Sequence, residues 1–507
     1  MAHYVRRDAD VRVSGTLRNS LFRGQFILGP SYVDKFPGWS RYSLARDLRL
    51  TVHPDLPVTR AVSGSRTLTL IGYILDPAEP QARDRDILAP LLPMCASVYQ
   101  LIERCAAFGG RWAMIAQCDD GHYLFNDALG LRQVFHTRAG DGNDVWACSQ
   151  PGIAIDALAL PFDEHALQFL DSHAFRLHAE YRWPAIGTVL RGLYHLLPNH
   201  LMDLRSGAVT RYWPAPVLRT VSVDEAVERV GATLSGMMRA AAARFDLALA
   251  ITAGIDSRVV LAAARPIRNQ LRYMTVRQAK MADDNPDLVV PHRLLARLGL
   301  THEVIRARAS MTPEFSWLFK RNVFLAHDHY GADAEAILAW HGGRCVVVTG
   351  SGAEVGRCSF RKELAFPNRR RITALDLARL QRMRHPYALR LFDEWLAGLG
   401  DRGRVHVLDL FEWEQGHGNW LAMTQLEFDV AWNDIFTPYN CRELLTVLLS
   451  VEERYRGAPK YSLFRSLARK LWPEVLSEPI NPTQSPDLAR RCAGLLRRSW
   501  RLVPGVA

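Results

Sequence analysis

From Leu48 to about Ile155, short apolar or alternating runs stand between turn residues, and three of them have strand character: Thr67–Tyr73, Trp112–Ala116 and Tyr123–Phe125. A period near two with turn punctuation predicts a first half rich in β-strand. The stretch from Trp183 to Pro214, with Gly187, Gly192, Pro198 and Gly207, reads as a connecting segment and sets a domain boundary there. Past Ser222 the pattern changes. A helical repeat over about Asp224–Arg244 is followed by a strand Leu247–Ile251, a helix after Asp256, a strand Tyr273–Val276, a helix over about Leu288–Leu298 and a strand Val346–Val348. That alternation predicts a parallel sheet flanked by helices, and Leu375–Trp472 follows as mostly helix. The expected fold class is α/β and α+β, with residues 1–214 and 215–507 as two domains.

Composition adds limits rather than chemistry. The 507 residues, 48% hydrophobic and 23% charged, describe a folded, water-soluble chain. Its apolar runs are too short or too interrupted for the roughly 20 residues of a membrane helix, and the N-terminus lacks an apolar signal core, so a cytoplasmic protein is expected. The eight cysteines never form CxxC, which argues against a disulfide framework or a zinc knuckle. The net charge of +11 is mostly arginine spread along the chain, the pattern of a solvated surface rather than of a nucleic-acid interface. His327-Asp328-His329 has ligand spacing but no third partner, and the basic stretch Arg490–Arg501 reads as a helix packed on its own domain.

The candidate chemistry sits where the run Leu247–Ile251 meets Thr252-Ala253-Gly254-Ile255-Asp256-Ser257 and a helix begins. Backbone N–H groups in a small-residue turn, together with the positive end of the helix dipole, make an anion site. Thr252, Ala253, Gly254, Asp256 and Ser257 are therefore candidate phosphate-loop residues, with Asp256 as a magnesium ligand and Ser257 as a hydroxyl donor. Taken alone, the hexapeptide is equally an ordinary strand-to-helix turn capped by Asp256.

Several blocks in order resemble those of one family. The loop resembles the Ser-Gly-Gly-x-Asp-Ser loop of N-type ATP-pyrophosphatases, and the chain as a whole resembles the class B asparagine synthetases and their relatives, the β-lactam synthetases and lasso-peptide cyclases. The matching blocks are Tyr273–Val276, Asp287 with the helix and strand after it, Val348–Glu354, Phe436–Asn440 and Lys460–Arg465. The resemblance implies ATP and Mg²⁺ as cofactors, Val276 and Gly350 at the nucleotide, Asp256 and Glu354 on magnesium, and Glu354, Ser351 and Lys460 as catalytic residues. Gly109–Trp112 and Asn126–Arg132 resemble the glutaminase half of these enzymes, which implies a β-rich Ntn-hydrolase-like domain before a parallel-sheet ATP-pyrophosphatase domain. The implied activity is adenylation of a small-molecule or peptide carboxylate and its capture by an amine, in specialised metabolite or lasso-peptide-type biosynthesis, with a partner protein or a second copy as possible company.

The departures are informative. Glu354 stands where the family has aspartate, Ser351 where it has glutamate or tyrosine, and Ser477–Pro482 lacks the family's lysine. Lys460, Lys470 or Arg258 are left to replace it, and Arg258 also reads as a solvated first-turn residue. These losses keep a second expectation open, a non-catalytic binding or scaffold protein on the same fold. Position 2 is Ala2, so the cysteine nucleophile of the glutaminases is missing. The protein is expected to release no glutamate from glutamine, and measurable turnover in a glutamate-release assay would overturn the assignment of the first half as a packing partner.

Overall fold

A computed structural model describes residues 19–45, 47–140, 144–176, 180, 182–214, 218–342, 345–360, 371–431 and 434–482. Position 2 and the basic stretch Arg490–Arg501 lie outside these residues. The structure is mixed α/β: two antiparallel six-stranded sheets in the first half and a parallel five-stranded sheet in the second.

The first sheet takes β1 (Phe26–Gly29), β2 (Ser40–Ala45), β3 (Leu48–Val52), β8 (Phe135–His136), β9 (Ala147–Cys148) and β10 (Tyr194–His195), ordered β10-β8-β9-β1-β3-β2. The other takes β4 (Val58–Ser63), β5 (Arg66–Leu75), β6 (Gly109–Cys118), β7 (Gly121–Asn126), β11 (His200–Asp203) and β12 (Val209–Arg211), ordered β12-β11-β7-β6-β5-β4. Side chains alternate across each strand. On β6, Ala113 and Ile115 join Phe26, Leu28, Leu50 and Val52 in the core between the sheets. Trp112, Met114 and Ala116 point the other way, onto the helix Val98–Cys105 and its neighbours. Both faces of β6 are thus covered, which is why its sequence is apolar at nearly every position.

The segment Trp183–Pro214 is no mere connection: it supplies β10, β11 and β12, and β11 pairs with β7 through Leu201–Phe125 and Met202–Leu124. Strands of two to four residues interrupted by Gly and Pro carry too little periodicity to be told from a linker.

The parallel sheet comprises β13 (Leu247–Ala250), β14 (Arg272–Arg277), β15 (His302–Arg306), β16 (Val346–Val348) and β17 (Ile435–Phe436), ordered β15-β14-β13-β16-β17. The chain winds outward from β13 in one direction, then returns to β16 and winds out in the other. Such a reversal leaves a crevice beyond the carboxyl ends of the two central strands. Helix Val223–Ala242, opened by the Ser222 side chain accepting from Glu225 N, buries Ala226, Val230, Leu234, Met237 and Ala241 on one stripe. No helix among the described residues is long and apolar enough to cross a membrane.

The halves are joined by charge as well as by apolar packing. Arg111 on β6, its side chain 1% exposed, donates to Asp429 at 2.6 and 3.1 Å and to Asp434 at 2.5 Å, while its Nε donates to the Leu131 carbonyl at 3.1 Å. Arg132 adds a contact to Asp434 at 3.2 Å. Burial alone would lower the Arg111 pKa, but the two aspartates beside it raise it, and the guanidinium stays charged. Removing one member of such a group strands the others without water. Arg111→Met is therefore expected to cost about 3–5 kcal/mol in denaturant unfolding; a loss below about 1 kcal/mol would mean that the cluster is not what couples the halves.

Candidate functional site

The loop after β13 is closed by its own side chains. Thr252 N donates to Ser257 Oγ at 3.2 Å, the two hydroxyls lie 3.1 Å apart, and Gly254 N donates to Thr252 Oγ1 at 3.1 Å. Ser257, expected as a phosphate donor, is buried and bonded within the loop. Ala253 N donates to Asp287 Oδ1 at 2.9 Å, so an anionic oxygen already rests against the loop's backbone. The helix Ile255–Ala263 starts from Gly254 with no side-chain cap hydrogen bond. The capping role open to Asp256 from sequence is not what the residue does. Its carboxylate meets Arg357 instead.

The loop after β16 comes against it from the neighbouring strand end. A Cβ on Gly350 would stand 2.8 Å from the Asp256 carbonyl carbon and from Ser257 N, so only glycine lets the two loops touch at this point. Gly352, at φ +98°, turns the chain in a region that favours glycine, and a Cβ there would meet Leu129 of the first half at 2.9 Å and Tyr439 at 3.0 Å. The single turn Ala353–Arg357 then carries Glu354, which accepts from Gly352 N at 2.9 Å.

These two loops bring the expected acidic pair together on one nitrogen. Arg357 Nη2 lies 3.1 Å from Asp256 Oδ2 and 3.2 Å from Glu354 Oε1. Carboxylates that converge this way fit a small hard cation, which takes oxygen ligands and completes its shell with water and phosphate. Arg357 Nε, Tyr439 Oη and Thr349 Oγ1 are buried without a hydrogen-bond partner among the described residues. Burial and nearby Asp256 raise the Tyr439 pKa well above its ordinary value, so that hydroxyl stays protonated.

Behind Glu354 lies a wide helical turn, Glu412–Leu421, whose polar residues are almost all buried. His417 Nε2 is 3.4 Å from Glu354 Oε2, and His417 Nδ1 is 3.7 Å from Glu412 Oε1. Burial would raise the Glu354 carboxyl, but His417 and Arg357 hold it well below the usual range. Burial pushes Glu412 up to about 7. Neither His417 nor Glu412 was singled out in the sequence, although the run Glu412-Trp413-Glu414-Gln415-Gly416-His417 is unusually polar for a buried helix.

The remaining candidates separate. Val276 is half-buried near the carboxyl end of β14, opposite Ile305 of β15. Ser351 is half-buried, its carbonyl accepting from the Thr437 hydroxyl. Lys460 is exposed, but its neighbour Tyr461 is buried with its ring 5.8 Å from the Arg357 guanidinium. Lys470 pairs with Glu228 at the surface. Arg258 is not solvated, and its terminal nitrogens are taken by backbone carbonyls. It is fully buried, and it donates to the carbonyls of Val475 and Glu478 at 2.9 Å and of Pro479 at 2.7 Å; burial pushes its pKa down to about 10. The lysine-free stretch nonetheless reaches the loop, where Asn481 N donates to the Ala253 carbonyl at 3.0 Å. His327 is bonded through both ring nitrogens, to Glu427 at 2.7 Å and to the Glu180 carbonyl at 2.5 Å.

No known protein family matches the chain, and no curated protein does. Among solved structures, glutamine phosphoribosylpyrophosphate amidotransferase from B. subtilis, complexed with ADP and GMP, is similar at 12% identity and a TM-score of 0.23, covering 76% of this chain and 89% of its own. The allosteric regulatory enzyme of purine biosynthesis is similar at 10% identity and a TM-score of 0.23, covering 61% and 75%. Superpositions that poor bear on neither the fold nor the chemistry of this chain.

The loop contact gives a direct test. Gly350→Ala is expected to push the two loops apart at a cost of about 1–3 kcal/mol, read by thermal unfolding. A variant as stable as the parent would show that the loops do not meet as described.

Proposed function

We propose that the chain is an ATP-dependent, AMP-forming ligase that activates a carboxylate as an acyl-adenylate and passes it to an amine. The observation that carries this reading is the convergence of Asp256 and Glu354, from the carboxyl ends of adjacent parallel strands, on one positive nitrogen. Parallel sheets bind ligands at such reversals of strand order, and the uncapped start of Ile255–Ala263 offers backbone N–H groups to a phosphate. A triphosphate would displace Asp287 from Ala253 N and take up the first helical turn. Magnesium on Asp256 and Glu354 would supply the charge that draws off pyrophosphate.

The acceptor is an amine because the resemblance runs to amide-forming enzymes, and Ser351 leaves room for a different group to meet it. His417, held against Glu354 at 3.4 Å, keeps that carboxyl ionised and so fit to hold the metal. The first half contributes packing, not ammonia, which points to a substrate's own amine and to modified-peptide or specialised-metabolite biosynthesis.

ATP–pyrophosphate exchange with a panel of carboxylates and carboxyl-bearing peptides tests the reading. A supporting carboxylate is expected, with exchange falling at least about a hundredfold in Asp256→Ala. No exchange with any carboxylate, together with no ATP binding, would leave the scaffold reading in its place.

A further inference from the structure

Arg357 is absent from every expectation drawn from the sequence, yet it is the centre of the site. Gly350 allows the strand ends to meet, and meeting puts two carboxylates within reach of each other. Like charges so placed repel unless a cation stands between them. Arg357 is that cation. Its side chain is 15% exposed, it contacts both acids through one nitrogen, and Tyr461 packs beside it. Burial opposes its charge, but Asp256 and Glu354 raise its pKa and hold it charged.

Resting on the reading of Asp256 and Glu354 as metal ligands, we propose that Arg357 is a resident counter-cation. In the nucleotide-free protein it holds the position a divalent ion needs, and the ion enters only with a phosphate that gives the displaced guanidinium a new anion. Two features on the page favour this exchange. The Nε of Arg357 is buried without a partner among the described residues, which leaves a donor for an anion. A guanidinium also matches phosphate at least as well as carboxylate, in the same two-pronged geometry. Cation and guanidinium cannot both occupy the gap between the acids, so the two bindings oppose each other by the same free energy.

The experiment uses full-length protein and Mn²⁺ alone as the probe, with no nucleotide or substrate, so its outcome is independent of whether adenylation occurs. Mn²⁺ binding is followed by the loss of its free paramagnetic signal for the parent, Arg357→Lys and Arg357→Gln. The parent is expected to bind weakly without saturation, and Arg357→Gln about tenfold or more tighter. Arg357→Lys is the safer fold and keeps a charge without the planar fork; it is expected to bind tighter than the parent and weaker than Arg357→Gln. Thermal midpoints in Mg²⁺ give the same comparison, with stabilisation of the variants and none of the parent. Saturable submillimolar-class Mn²⁺ binding to the parent, or equal affinity in parent and variants, would overturn the proposal. Weaker binding in the variants would do so too, since it would make Arg357 an organiser of the metal site rather than its competitor.

Discussion

A guanidinium with no water around it must be neutralised by protein, and Arg111 is neutralised from the other half of the chain. Asp429 and Asp434, which do this, lie just before β17. The residues just after β17 are tied to the first half as well: the Asn440 amide donates to the Gly110 carbonyl at 2.6 Å, and its oxygen accepts from Leu129 N at 2.8 Å. Strand β17 is therefore clamped at both ends by the first half. Its tail carries Thr437, which holds the Ser351 carbonyl, and Tyr439, which backs Gly352. The geometry of the Glu354 loop thus depends on a residue in the other half of the chain. That dependence gives the first half a physical role that needs no chemistry of its own.

Local features were legible and convergent ones were not. The strand-turn-helix at Leu247–Ala263 could be read because an apolar run, three small residues and a helical repeat are adjacent in sequence. The stretch Ile435–Phe436 could not, because two apolar residues between helices have no period; only pairing with Val347 and Val348 makes them a strand. For Arg258 the sequence offers a replacement for the missing lysine or a solvated first-turn residue, and neither is what it is, since arginine seldom lies fully buried. Its burial follows from three carbonyls of Val475–Pro479 that converge on it, a fact no local pattern contains.

Arg357 was hidden for another reason. In a chain with 63 lysines and arginines a single basic residue gives no signal. One cue existed, its position three residues after Glu354, but pairs at that spacing are common and usually contribute little. What makes this pair different is Asp256, which is distant in sequence and brought near only by the contact at Gly350.

The lysine-free stretch Ser477–Pro482 is placed by the same part of the structure. It lies against the loop after β13, through Asn481 and the Ala253 carbonyl, and Arg258 is bonded to its backbone. The cation on that side donates to the backbone oxygens of Val475, Glu478 and Pro479. Positive charge reaches the acidic pair from Arg357, on the turn that carries Glu354 itself. Any ligand that draws Glu354 away from Arg357 must also replace what Arg357 supplies.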